Sequence, residues 1–120
     1  YTNMEINKEV KKMIEENTVA LAANKDGNPY VMTEAFVKVK DDKIVITNNY
    51  MTNTINNIKD NPNVSLAVWN KDWKGYQING KAEYFEEGEW HDFVKAIEEN
   101  KDEACRGAIV VEVNKIKRLA

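Results

Sequence analysis

Apolar and polar positions change their period several times along the chain, and each change marks an element. Ile6, Val10, Met13 and Ile14 recur three and four residues apart, which sets them on one face of an amphipathic helix. Thr2 and Glu5 have the spacing of a capping box ahead of it, and Asn17 is a suitable stop. From Thr18 the helical period is lost. Positions 18–24 form a short apolar run, and positions 25–29 (Lys-Asp-Gly-Asn-Pro) are dense in turn formers. Positions 30–40 then alternate in part, with Ala35, Val37 and Val39 on one side. Asp41 and Asp42 supply a second turn, and the β-branched block Ile44, Val45, Ile46, Thr47 predicts a strand over 43–48. Three strands joined by short turns predict an antiparallel meander.

The second half continues in the same way. Ile55 and Ile58 lie three apart within a polar stretch that ends at Asn61-Pro62, so a short helix is expected over 51–60. Val64, Leu66 and Val68 have period two and predict a strand over 63–70. Tyr76, Ile78, Ala82 and Tyr84 alternate with Gln77, Asn79, Lys81 and Glu83 and predict another over 75–85. Gly80 inside it marks a bulge or sharp bend. Trp90, Phe93, Val94 and Ile97 carry a helical period through 89–100, and Ala108–Val111 reads as a buried strand within 107–114. The sum is about six short strands with flanking helices. Tight turns between strands, rather than alternating βα units, argue for an antiparallel sheet curled into a small barrel. A length of 120 residues with no long linker or repeat is that of a single domain over 1–120.

Composition narrows the function classes. The chain is 42% hydrophobic and 31% charged with a net charge of −3, which gives no bulk electrostatic attraction to nucleic acid or anionic lipid. No stretch approaches the ~20 apolar residues of a membrane span. The single cysteine, Cys105, excludes an internal disulfide and suits a reducing, cytoplasmic setting.

Few side chains carry obvious chemistry. His91 falls off the apolar face of its helix and reads as a solvated or capping residue, without the neighbouring His or Cys that a metal site needs. Cys105 lacks a CxxC partner and reads as a structural thiol. Neither GxGxxG nor GxxxxGK[ST] occurs. Trp69 and Trp73 suit the rim of a planar-ligand pocket, a subunit interface or plain packing. One segment stands apart. Positions 47–57 run from the end of an apolar strand into a helix start and are rich in Thr and Asn. A helix N-terminus presents unpaired amides and partial positive charge, which suits a phosphate, and Thr52, Asn53 and Thr54 add side-chain donors. An ordinary N-cap region selects the same residue types.

The order of elements resembles a known family. The run TVALAANKDGNPYVMTEAFVKV, the strand KIVITNN, the helix end NIKDNPNVSLAVW and the strand GYQINGKAEYF are together similar to the pyridoxamine 5'-phosphate oxidase-like, FMN-binding split-barrel family, in particular its small single-domain members. The pieces NxxxNPxV at 57–64 and GxAxxF at 80–85 carry most of that similarity. The resemblance implies a mainly β fold with flanking helices, a six-stranded antiparallel split β-barrel, and a homodimer with FMN at its interface. It places the flavin ring against Met32, Thr33, Glu34 and Ala35, and the ribityl phosphate at Thr47, Asn48, Asn49, Thr52, Asn53 and Thr54. Asn53 stands where such proteins usually offer a cation, so a partner-chain Arg106 is the expected substitute, or FMN affinity is reduced. No Arg and His cluster for a pyridoxal-type phosphate is present, so the vitamin B6 reaction itself is not implied. The resemblance leaves an FMN-dependent oxidoreductase, with an unknown redox substrate, as the expected activity. The alternatives are an electron carrier with no substrate of its own and a barrel that binds a deazaflavin or haem.

Overall fold

A computed structural model describes residues 5–25, 28–34, 37–48, 58–59, 61–97 and 107–119. The first element is helix α1 (Lys8–Glu16), and it begins later than the sequence suggests. Its N-cap is Asn7, whose Oδ1 accepts the Val10 amide at 2.9 Å. The expected capping box fails because Glu5 stands outside the helix, while Thr2 lies outside the described residues. Asn17 does end it, donating from Nδ2 to the Met13 carbonyl at 2.9 Å.

Among the described residues seven strands follow, not six: β1 (Val19–Lys25), β2 (Asn28–Glu34), β3 (Lys38–Lys40), β4 (Lys43–Asn48), β5 (Asn63–Trp69), β6 (Gly75–Phe85) and β7 (Gly107–Arg118), with helix α2 (Glu89–Lys95) between the last two. The extra strand comes from the segment expected as one strand over 30–40. Its first part pairs with β1 and its second with β4, so one alternating run serves two different neighbours. Lys25, Asn28 and Pro29, expected in a turn, belong to strands, and the ladder closes at Lys25↔Asn28. Pro29 is tolerated because β2 is a terminal strand, where a missing amide donor breaks no inner ladder. Asp41 and Asp42 form the β3–β4 turn at φ 52° and 59°, the paired left-handed geometry of a two-residue hairpin.

The seven strands form one sheet in the order β2-β1-β5-β6-β7-β4-β3, with neighbouring strands antiparallel. Its two terminal strands are consecutive in sequence, β2 ending at Glu34 and β3 starting at Lys38. Four residue steps span at most about 14 Å, so the sheet must curl until its ends approach. That constraint makes it a barrel, with a seam between β2 and β3.

The barrel interior is filled by Leu21, Ile44, Ile46, Leu66, Ile78, Ile109 and Val111, all at most 1% exposed. α1 contacts both β3 and β5, strands from opposite halves of the sheet, and adds Val10 and Ile14 to this core. Three polar bonds fix it there. Ile6 N donates to Asp42 Oδ1 (3.0 Å), Val39 N to Glu15 Oε2 (2.9 Å), and Tyr76 Oη to Glu9 Oε1 (2.8 Å). A second cluster lies outside the barrel, where α2 covers Val45, Ala108 and Val110 of β4 and β7 with Val94, Trp90 and Phe93. Lys40 Nζ stands 5.3 Å from the Trp90 ring centroid and 5.1 Å from that of Phe93, which ties β3 to the same helix. Apolar cover on both faces explains why β7 reads as a continuous apolar run rather than an alternation.

Other boundaries shift modestly. β5 ends at Trp69 and α2 at Lys95, both short of expectation, whereas β7 runs four residues beyond Asn114. The bulge expected at Gly80 is present: Asn79 pairs with Lys115 but Gly80 with Val113, leaving Asn114 unopposed. A Cβ on Gly80 would run into the Glu112 carbonyl and stand 2.8 Å from Val111 Cγ1, so only glycine permits this approach. Of the helix expected over 51–60, Ile58 and Lys59 are helical and Ile58 is buried; the remainder lies outside the described residues.

Candidate functional site

Both predicted halves of the ligand site flank the seam. The ring half occupies β2, one terminal strand, and the phosphate half begins on β4, beside the other terminal strand β3. Met32 pairs with core residue Leu21 and is half-buried, whereas Thr33, paired with Ala20, is exposed on the outer face. Glu34 ends β2 opposite Val19, and Asn48 ends β4 opposite Gly107. Ala35, Asn49, Thr52, Asn53, Thr54 and Arg106 lie outside the described residues.

Thr47 is the informative member. Ile44 and Ile46 point into the barrel, so alternation puts Thr47 on the outer face with Val45, opposite Ala108. It is only 6% exposed and is the sole buried polar residue among those described. Its Oγ1 has no hydrogen-bond partner among the described residues. A buried hydroxyl without a partner is destabilising by about 1–3 kcal/mol. This hydroxyl stands where the Thr- and Asn-rich segment of the sequence begins.

Neighbouring residues were not visible as site candidates in the sequence. A Cβ on Gly107 would stand 2.7 Å from Cζ and Oη of Tyr84, so the phenol lies against the residue paired with Asn48. Lys59 Nζ stands 5.8 Å from the centroid of the same Tyr84 ring. Lys59, Tyr84, Phe85, Glu86 and Glu87 line a shallow depression of about 520 Å³ at this end of the barrel. The GxAxxF run contains Tyr84, but nothing in its spacing links it to Lys59 or Gly107.

On the opposite side, the outer face of β2, β1 and β5 carries small side chains, Ala20, Ala22, Ser65 and Ala67. Larger apolar groups stand around it uncovered: Val31 is 66% exposed, Trp69 44% and Trp73 77%. Trp73 also has φ 61°, in a turn where Asn70 Oδ1 accepts the amides of Asp72 and Lys74. His91 is less solvated than its place in the sequence suggests, at 20% side-chain exposure, with Nδ1 4.0 Å from Asp92 Oδ1. Cys105 lies outside the described residues.

Comparison with known proteins agrees with this architecture. The family model for pyridoxamine 5'-phosphate oxidase matches residues 6–119. The chain belongs to the pyridoxamine 5'-phosphate oxidase family. An uncharacterized protein of Methanocaldococcus jannaschii is 33% identical over 122 aligned residues, 97% of this chain and 82% of that one. Among solved structures, HupZ of Group A Streptococcus superposes with a TM-score of 0.86 at 23% identity, over 95% of this chain and 94% of its own. An FMN-binding protein of Syntrophomonas wolfei superposes with a TM-score of 0.78 at 14% identity, covering 94% and 85% of the two chains. These structural matches establish that the seven-stranded barrel is the split barrel of the family, one strand richer than the six expected.

Proposed function

We propose that this chain is an FMN-binding flavoprotein of the cytoplasm. It is an oxidoreductase related to, but distinct from, the vitamin B6 enzyme, and forms one split-barrel domain over 1–120. The observation that carries the reading is the buried Thr47 hydroxyl, which has no hydrogen-bond partner among the described residues and stands where the Thr- and Asn-rich segment begins. The residues fit the group. Thr47 Oγ1 would donate to the phosphate, and Asn48, Asn49, Thr52, Asn53 and Thr54, next in the sequence, would offer further polar groups to it. Met32, Thr33, Glu34 and Ala35 are the residues that would support the ring. Bound FMN supplies one- and two-electron redox chemistry, and the protein supplies position and electrostatics.

A homodimer completes the site. The outer β2–β1–β5 face, with small side chains framed by exposed Val31, Trp69 and Trp73, is the surface offered to the second copy. Arg106 is the residue proposed to reach across as a phosphate partner. No described helix is long and apolar enough to cross a membrane.

The test is an absorbance spectrum of the purified protein, mass identification of whatever denaturation releases, and FMN titration of the stripped protein. A flavin spectrum with FMN released supports the reading. Colourless protein that takes up no FMN overturns it. Reduction of the bound flavin by NAD(P)H separates an enzyme from an electron carrier, and sedimentation at micromolar concentration reads the dimer.

A further inference from the structure

Strands β1 and β5 separate before either of them ends. Their ladder stops at Ala22↔Ser65, yet β1 stays paired with β2 as far as Lys25↔Asn28, and β5 pairs with β6 from Asn63↔Lys81 onward. A gap therefore opens in the sheet between the last residues of β1 and the first of β5. The β6–β7 bulge borders the same place, because Asn79 and Gly80 are the register partners of Ser65 and Val64. Together the two irregularities frame a cleft of about 470 Å³, a size found among small-molecule sites. We propose that this cleft binds a neutral carbohydrate, at a site additional to and independent of the flavin.

The lining has one kind of chemistry. Asn24, Asn61, Asn63, Asn79 and Asn114 bring side-chain amides to the cleft and Ser65 a hydroxyl, while among the described residues no charged or aromatic side chain lines it. An amide carries donors and an acceptor on one group, and a sugar hydroxyl does the same, so each can meet the other in either direction. A charged ligand finds no counter-charge in this lining, and a flat aromatic ring finds no ring to stack on.

Part of the set is arranged in advance. Ser65 Oγ donates to Asn79 Oδ1 at 2.7 Å, which engages that acceptor and leaves Nδ2 as a donor. Asn61 Oδ1 accepts from the backbone N and from Nδ2 of Asn63, both at 3.2 Å, which leaves Asn63 Oδ1 as an acceptor. The side chains of Asn24 and Asn114 bond to no described residue. Asn114 borders the cleft because of the bulge: it is the residue left unopposed in β7, and a bulge turns such a side chain out of the regular ladder. Ala22 and Ser65 also belong to the face offered to a second copy, but the cleft lies at the opposite end of β5 from Trp69.

The experiment follows the side-chain amide signals of isotope-labelled protein, as purified, by nuclear magnetic resonance. The protein is titrated with maltose and with N-acetylglucosamine, and with inorganic phosphate and benzoate as a charged and an aromatic control. The sugars are expected to shift the amide signals of Asn24, Asn79 and Asn114, and the controls to leave them in place. Asn114→Ala should weaken sugar binding about two- to tenfold, the loss of one hydrogen bond. Its melting temperature should stay that of the unaltered chain, since the side chain is exposed and bonds to no described residue. Ser65→Ala releases the Asn79 amide and should weaken sugar binding on the same scale. Signals unmoved by both sugars overturn the proposal, as do equal shifts from the controls or a sugar affinity unchanged in both variants. Cleft signals that respond only to protein concentration would mean that a second copy of the chain fills the gap, and overturn it as well.

Discussion

Replacing Thr47 by valine exchanges a buried hydroxyl for a methyl group of the same shape. Among the described residues the hydroxyl has no partner, so in flavin-free protein its removal should relieve a desolvation penalty of about 1–2 kcal/mol, the lower part of the usual range because strand backbone and packing are kept. For 120 residues the unfolding entropy near the midpoint is about 250 cal/mol/K, so the melting temperature should rise by roughly 4–8 °C. Flavin affinity should move the other way. A hydroxyl donating to a phosphate contributes about 1.5–3 kcal/mol, hence a 10- to 100-fold weaker FMN dissociation constant. Calorimetry of stripped protein and fluorescence titration with FMN measure the two arms, and Thr47→Ser should behave as the unaltered chain toward FMN. A lower melting temperature for Thr47→Val would mean that the hydroxyl is satisfied within the fold. A higher one with unchanged FMN affinity would mean that the orphan serves something other than a flavin phosphate.

Three further outcomes follow from the fold. Asn7→Ala removes the side chain that accepts the Val10 amide, and should lower stability by about 1 kcal/mol in a denaturant melt, with Asn7→Asp neutral. Gly80→Ala drives a Cβ into the Glu112 carbonyl at the bulge, and should destabilise by more than the ~1 kcal/mol scale of propensity changes, read by the same melt. The hydrogen bond to Glu9, reinforced by burial and by the carboxylate's charge, holds the Tyr76 phenol above its ordinary value of 10.0, with Arg118 opposing. Because the folded-state value is raised, the stabilisation from this group is complete below pH 10 and is lost as pH rises through the folded-state value. Ultraviolet titration should show one late-ionising tyrosine that shifts down in Glu9→Gln.

Much of this chain can be read locally. Period two in Val64, Leu66 and Val68 and in Tyr76, Ile78, Ala82 and Tyr84 placed β5 and β6 with little error, because each strand has one face in the core and one in water. Gly80 announced its bulge and Asp41-Asp42 their turn, since backbone conformations of that kind select their residues before any long-range contact forms. The family resemblance was legible for a related reason: the spacing of such local signals is itself a signature.

What the sequence could not disclose depended on partners distant along the chain. The alternation of positions 30–40 is equally compatible with one strand or two, and only closure of the barrel makes β2 pair with β1 while β3 pairs with β4. The last residues of β7 are strand because β6 offers a ladder there, not because Lys115 and Lys117 prefer it. α1 starts at Lys8, where Asn7 can cap it and Asp42, from a turn 36 residues away, can receive the Ile6 amide. The loneliness of the Thr47 hydroxyl and the placing of Lys59 by Tyr84 belong to the same class of fact. Periodicity records which way a side chain points, whereas whether it finds a partner there is settled only when the sheet curls and brings separate strands together.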